Sequence, residues 1–298
     1  METTTLVDGR WFCEGPRWHD DRFWFSDFYA HEICSVDLDG EVRVEVSLDG
    51  DEQPSGLGWL PDGRLLFVAM LARTVMRREH DGRIVEHADL GEFATFHCDD
   101  MLVDDAGHAY VGNFGFDLDT TLEAMGPEGL LGAMATDRTP YTAVLAKVDP
   151  DGAVTVAADD LAFPNGVVLV DGGSTLVVAQ TLGLELTAFD RRADGALTNR
   201  RAWASLVGDD GSFAAPDGIC TDAAGGIWVA NALAAEVIRV EEGGTITHRV
   251  ATSQTAFACA VGGPDLRHLL VCTAGASSAH IAAASPTGRL EIVELTDA

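Results

Sequence analysis

The chain has 298 residues, 47% of them hydrophobic, enough for a large buried core and for one domain over residues 1–298. Its 19 basic and 48 acidic residues give a formal net charge of −29, which repels phosphate backbones and anionic lipid and excludes nucleic acid and membranes as expected partners. Residues 1–8 lack a basic, apolar leader pattern, and the six cysteines form no Cys-x-x-Cys pair, so a cytoplasmic protein with reduced, mostly buried thiols is expected.

In chain order, one short apolar strand recurs six times, centred on Phe25, Phe67, Val111, Val178, Val229 and Val271. Each run is of the kind that a strand buried on both faces requires. Turn chemistry precedes each one, as in Pro61-Asp62-Gly63-Arg64 before Leu65 and Ala224-Gly225-Gly226 before Ile227, so hairpins are expected there. Further strands follow with their own charged turns, as in Ile33-Cys34-Ser35-Val36-Asp37-Leu38-Asp39-Gly40 and then Val42-Arg43-Val44. Four antiparallel strands per unit at this period predict an all-β fold, a six-bladed β-propeller. The centres are 42, 44, 67, 51 and 42 residues apart, and the long third interval locates an insertion at about 115–141. Within it, residues 118–125 predict a short helix that Gly126-Pro127 stops, either a lid or a surface excursion.

Glu14-Gly15-Pro16-Arg17-Trp18, Phe163-Pro164-Asn165-Gly166-Val167 and Ala215-Pro216-Asp217-Gly218-Ile219 each set a polar residue beside Gly and Pro where an apolar strand begins. The pattern reads as tight turns at strand mouths. The residues opening the strand before each hairpin are Glu14, Ser55, Asp99, Asn165, Asp217 and Cys259, each 11 to 13 residues ahead of its core centre. Equivalent positions of a closed radial array form a ring, so Glu14, Asp99, Asn165 and Asp217 are expected to converge at one mouth of the channel. Three carboxylates and a carboxamide repel one another unless protonated or neutralised, which points to one divalent ion. Oxygen donors suit Ca²⁺, Mg²⁺ or Mn²⁺ and also accept Zn²⁺ or Fe²⁺. Asp and Asn beside Gly also cap turns, which is the structural alternative.

At these residues the chain resembles the SMP-30/gluconolactonase/luciferin-regenerating-enzyme family of six-bladed propellers. The marks are Glu14-Gly15-Pro16-Arg17-Trp18, Pro164-Asn165-Gly166 and Pro216-Asp217-Gly218, and the resemblance spans nearly the whole chain. It implies that Glu14, Asn165 and Asp217 bind one divalent cation, that Asp217 serves as general base, and that lactone hydrolysis is the commonest activity. The chain departs from the family at His97-Cys98-Asp99-Asp100, where relatives carry Asn then Asp. An ionised carboxylate only accepts where the amide donates, so sugar-lactone specificity is not carried over. His97 stands where sugar lactonases carry a substrate-contacting Arg, and either a substrate contact or simple packing fits it. Cys98 lacks the basic surroundings of a thiolate nucleophile.

The expected activity is metal-dependent hydrolysis of a lactone or similar cyclic ester, with the cation as Lewis acid and Asp217 as general base. Arg17, Asp99, His97 and Asn113 are candidate contacts to a small-molecule substrate, and Phe114, Phe116 and the insertion are candidates for an apolar wall. The alternatives are isomerisation, elimination or organophosphate or phosphoester hydrolysis at the same ion, or a non-catalytic regulatory propeller that binds metal or a small molecule. A monomer or small homo-oligomer is expected.

Overall fold

Apolar runs separated by Asp- and Gly-rich turns form six sheets in the computed structural model, which describes residues 1–295. The chain opens with β1 (Thr4–Arg10). Blade one follows as β2 (Cys13–His19), β3 (Arg22–Asp27), β4 (Glu32–Val36) and β5 (Val42–Ser47). Blade two is β6 (Pro54–Trp59), β7 (Leu65–Ala69), β8 (Thr74–Arg78) and β9 (Ile84–Asp89). Blade three is β10 (Cys98–Val103), β11 (Ala109–Asn113), β12 (Ala143–Val148) and β13 (Val154–Leu161), with α1 (Leu118–Thr136) inserted after β11. Blade four is β14 (Pro164–Val170), β15 (Thr175–Gln180), β16 (Glu185–Arg191) and β17 (Leu197–Ser205). Blade five is β18 (Pro216–Thr221), β19 (Ile227–Asn231), β20 (Glu236–Val240) and β21 (Ile246–Ala251). β22 (Thr255–Gly262), β23 (His268–Ala274) and, after the short α2 (Ala279–Ala282), β24 (Gly288–Glu294) make the last.

Each sheet has four antiparallel strands, and the last has the order β1-β24-β23-β22. This is the six-bladed β-propeller that the repeat predicts. The N-terminal strand completes the final blade, so ring closure depends on contacts between the two ends of the chain. Glu291 on β24, 1% exposed, is the polar clasp there. Its carboxylate accepts from Ser253 N (3.0 Å), Ser253 Oγ (2.5 Å), Thr273 Oγ1 (2.8 Å) and the Thr3 hydroxyl.

Second strands are buried along their whole length in β7, β11, β15 and β19, whereas the fourth strands β5, β9 and β21 expose half or more of their residues. That gradient explains the continuous apolar runs of the former and the charged alternation of the latter. The cores lie between blades: Phe23 and Phe25 of blade one pack with Leu270 and Leu290 of the last. No helix among the described residues is long and apolar enough to cross a membrane.

The insertion departs from the expected short helix. Asp117 caps α1, its side chain accepting from Thr120 N at 3.0 Å. The backbone breaks at Gly126 (φ 69°, ψ 170°) and helix resumes to Thr136. Pro stops a helix it would enter from within, but it starts one without cost at the first position, where no N–H is needed.

Candidate active site

The first strands β2, β6, β10, β14, β18 and β22 pack on one another around the axis. Each shifts register near its start, between Glu14 and Arg17, Pro54 and Leu57, Cys98 and Met101, Pro164 and Val167, Pro216 and Ile219, and Ala256 and Ala258. Bulges of this kind re-aim side chains beside functional sites. Glu14, Ser55, Asp99, Asn165 and Asp217 all stand at these irregularities. In the sixth blade the equivalent residue is Phe257, which corrects the expectation of Cys259. Chain counting failed because the β22–β23 arm carries four pairs from Cys259–Val271 to Gly262–His268, against three from Ile219–Val229 to Thr221–Ile227 in β18–β19. One extra pair displaces the count by two residues.

Two of the three glycines beside the polar residues have a different cause from the tight turn expected, while Gly15 keeps it, with φ at 56°. Gly166 and Gly218 do not adopt left-handed φ. A Cβ on Gly166 would lie 2.6 Å from Ile219 N and 2.7 Å from Asp217 O, and one on Gly218 would lie 2.6 Å from Ala258 Cβ. Close approach of neighbouring first strands, rather than a tight turn, demands glycine there.

Glu14, Asp99, Asn165 and Asp217 line one cavity of about 430 Å³, together with His97. Leu118, Asp119, Thr120 and Leu122 of α1 line it too, and Asp119 Oδ2 accepts from Ala279 N of α2 at 3.0 Å. Burial, then the charges of Asp217, Asp99 and Asp100, push the Glu14 carboxyl well above its usual range. Asp217 is raised well above its range by burial and then by Asp99 and Asp100, against a hydrogen bond from the Asn165 amide. Asp99 is pushed up to about 7 by burial and then Asp100, while Ser55 Oγ donates to it at 3.3 Å.

The donor chemistry fits a divalent cation. Glu14 and Asp217 are 6% and 8% exposed, and the groups perturbing them include no cation. Two buried carboxylates and an amide oxygen thus share a cavity without a positive counter-charge, the situation a hard ion resolves. No group of three or more His, Cys, Asp or Glu among the described residues is spaced to hold a metal ion. Asp99 lines the same cavity and its charge bears on both Glu14 and Asp217, and the candidate ligand set that the resemblance implies is the Glu–Asn–Asp trio.

Arg17 and Asn113 are not brought to the cavity. The Arg17 guanidinium donates to Asp100 Oδ1 (2.8 Å) and Met101 O (2.6 Å), tying blade one to blade three. Asn113 donates to Val144 O (2.8 Å) and accepts from Gly115 N (3.0 Å), a clasp at the end of β11. Phe114 lines the cavity, but Phe116 packs instead on Tyr141, 5.2 Å between centroids. His97 stacks on Phe96 at 4.1 Å, and burial lowers its pKa despite Asp117 nearby. Burial pushes the Cys98 thiol up to about 12, so it is no nucleophile at neutral pH. All six cysteines are free, and all but Cys220 are buried.

Sequence reasoning missed Phe12, Phe28, Tyr29, Phe163 and Phe257 as cavity residues. A signal for most of them was present. One backbone hydrogen bond recurs in five blades: Phe28 N to Phe12 O, Met70 N to Gln53 O, Phe114 N to His97 O, Thr181 N to Phe163 O and Ala232 N to Ala215 O, all 2.9–3.1 Å. The acceptor precedes the ring residue by two positions, and the donor follows the second strand. The repeat offset used for the polar ring therefore also finds its rim.

A family model described as SMP-30/Gluconolactonase/LRE-like region matches residues 12–275. Pentonolactonase XacC of Haloferax volcanii is 27% identical over 286 residues, covering 92% of this chain and 86% of that protein. Two solved structures share the fold. The gluconolactonase XC5397 of Xanthomonas campestris has a TM-score of 0.72 at 24% identity, covering 98% of this chain and 89% of the other. Regucalcin of Agrobacterium tumefaciens, described as a calcium-binding protein, has a TM-score of 0.73 at 20% identity, covering 99% and 94%.

Proposed function

The chain belongs to the SMP-30/gluconolactonase/LRE-like family, and on that premise we propose that it hydrolyses a lactone or similar cyclic ester at a divalent cation held by Glu14, Asn165 and Asp217. The observation that carries this reading is the meeting of those three side chains, buried and without a cationic partner, in one cavity. The lactonase names of relatives support the reaction class, and the calcium-binding description of a fold neighbour supports the ion. Bound there, a divalent ion would supply Lewis acidity toward the carbonyl oxygen and toward water.

The chain's own residues have these roles. Glu14 and Asn165 hold their oxygens toward the ion site from β2 and β14, braced by the bulges. Asp217, in reach of the Asn165 amide, accepts the proton of the attacking water, and the same proton returns to the ring oxygen as the ester bond breaks. Asp99, held by Ser55, faces the substrate and favours its donor groups. The first half of α1, closed onto α2 through Asp119, excludes water as a lid.

Proton release during turnover of a panel of γ- and δ-lactones tests the proposal. We expect release above background, abolished by a chelator and restored by one of Ca²⁺, Mg²⁺, Mn²⁺, Zn²⁺ or Fe²⁺. No release with any lactone would overturn the hydrolase reading, and full activity after chelation would overturn the metal.

A further inference from the structure

The polar ring of the propeller is incomplete. Five blades present Glu14, Ser55, Asp99, Asn165 and Asp217, whereas the sixth presents Phe257, 4% exposed, at the same bulge. Phe257 does not stand alone. Its ring centroid is 4.9 Å from that of Phe12, which is 5.3 Å from that of Phe28, so aromatic surface continues from the channel toward the rim. A second aromatic pair, Phe114 and Phe163, with centroids 4.6 Å apart, lines the same cavity. Phe163 holds φ at 61°, a conformation that costs a non-glycine residue energy and that clusters at ligand-binding positions. The ionisable side chains that line the cavity are acidic apart from His97 and Tyr29, and none is Lys or Arg.

Resting on the hydrolase reading above, we propose that the substrate is a neutral lactone carrying an aryl or alkyl substituent, seated on these aromatic rings, and that Phe257 is the residue selecting it over polyhydroxylated sugar lactones. A sugar lactone brings several hydroxyls into the site, and each one placed against a phenyl ring loses its water without gaining a partner. An apolar substituent loses nothing there and gains contact with the rings. A cavity of about 430 Å³ exceeds what a bare lactone ring fills, which leaves room for the substituent. The acidic lining excludes anionic substrates and releases the hydroxy-acid product by repulsion once the ring opens.

The test compares a phenyl-substituted δ-lactone with glucono-δ-lactone by proton release, in wild type, Phe257→Leu and Phe257→Asn. Wild type is expected to favour the phenyl lactone by at least ~100-fold in kcat/KM, Phe257→Leu to keep most of that preference, and Phe257→Asn to shrink it by roughly 10–200-fold. An equal or reversed preference in wild type overturns the inference while leaving the hydrolase reading intact, and so does a preference unmoved in a folded Phe257→Asn. Calorimetric binding of the matching δ-lactams to wild type needs neither turnover nor a variant. If neither these two nor any other lactone of the panel opens, the hydrolase reading falls and the lactams decide: tighter binding of the phenyl lactam supports the apolar site, and equal or tighter binding of the polyhydroxylated lactam overturns it.

Discussion

The substitution Gly166→Ala adds one methyl group beside two of the proposed ion-binding residues. The new carbon would stand 2.6 Å from Ile219 N, 2.7 Å from Asp217 O and 3.0 Å from Gly218 Cα, all main-chain atoms of β18. Ordinary contact begins at 3.4 Å, so the strands must separate by about 0.8 Å, and no side-chain rotation relieves the clash. Overpacking of this kind costs ~1–3 kcal/mol of stability. It also moves Asp217 relative to Asn165 by most of an ångström, a misplacement that costs ~10²-fold in rate. Gly132→Ala is the control: it lies in α1, has nothing within 4 Å of the added carbon, and does not adopt positive φ. There the methyl stabilises by ~0.4–1 kcal/mol through the unfolded chain and the helix. Urea denaturation and lactone turnover of both variants provide the check. Wild-type stability and turnover in Gly166→Ala would refute the idea that strand-to-strand approach fixes the site.

Asp217→Asn is expected to lower kcat by ~10²-fold or more with melting retained or raised, since it removes the base and relieves buried charge without changing volume; near-wild-type turnover with the ion bound would remove Asp217 from the mechanism. Asp99→Asn is expected to leave ion affinity unchanged, because Ser55 holds the Asp99 carboxylate and the proposed ligands are Glu14, Asn165 and Asp217, and to raise turnover of polyhydroxylated lactones; a fall in ion affinity, measured by calorimetry, would make it a ligand. At the ring closure, burial raises the Glu291 carboxyl, but hydrogen bonds from Ser253, Thr3 and Thr273 outweigh it and hold the pKa below its usual value. A depressed pKa stabilises the fold above the unfolded value and loses that contribution as pH falls through the folded one. Glu291→Gln is therefore expected to melt well below wild type at neutral pH and to converge with it in acid; a gap that stays constant with pH would contradict this.

The propeller was legible because most blades bury both faces of their second strand, and Leu65 to Ala69 or Ile227 to Ala230 are accordingly apolar throughout. The convergence of Glu14, Asp99, Asn165 and Asp217 was legible because repeats convert chain offset into position around the axis. Offsets ignore strand register, so one additional pair in the last hairpin hid Phe257 behind Cys259. Pairing between distant blades leaves no local trace either, and the ion pair of Arg17 with Asp100 turned an apparent substrate contact into a brace. The helix beyond Gly126 was misread for a different reason, since Gly-Pro ends one helical segment and begins the next equally well. Part of the aromatic rim required only that the offset be applied two residues earlier, to Phe12, His97 and Phe163.

The central claim is that Glu14, Asn165 and Asp217 hold one divalent ion. Calorimetric titration of the metal-stripped protein with Ca²⁺, Mg²⁺, Mn²⁺ and Zn²⁺, repeated with Glu14→Gln and Asn165→Ala, tests it most directly. One ion is predicted to bind per chain in wild type, with at least ~10-fold weaker binding in each variant and equal melting of all three proteins without metal. Absence of binding in wild type, or wild-type affinity in both variants, would contradict it.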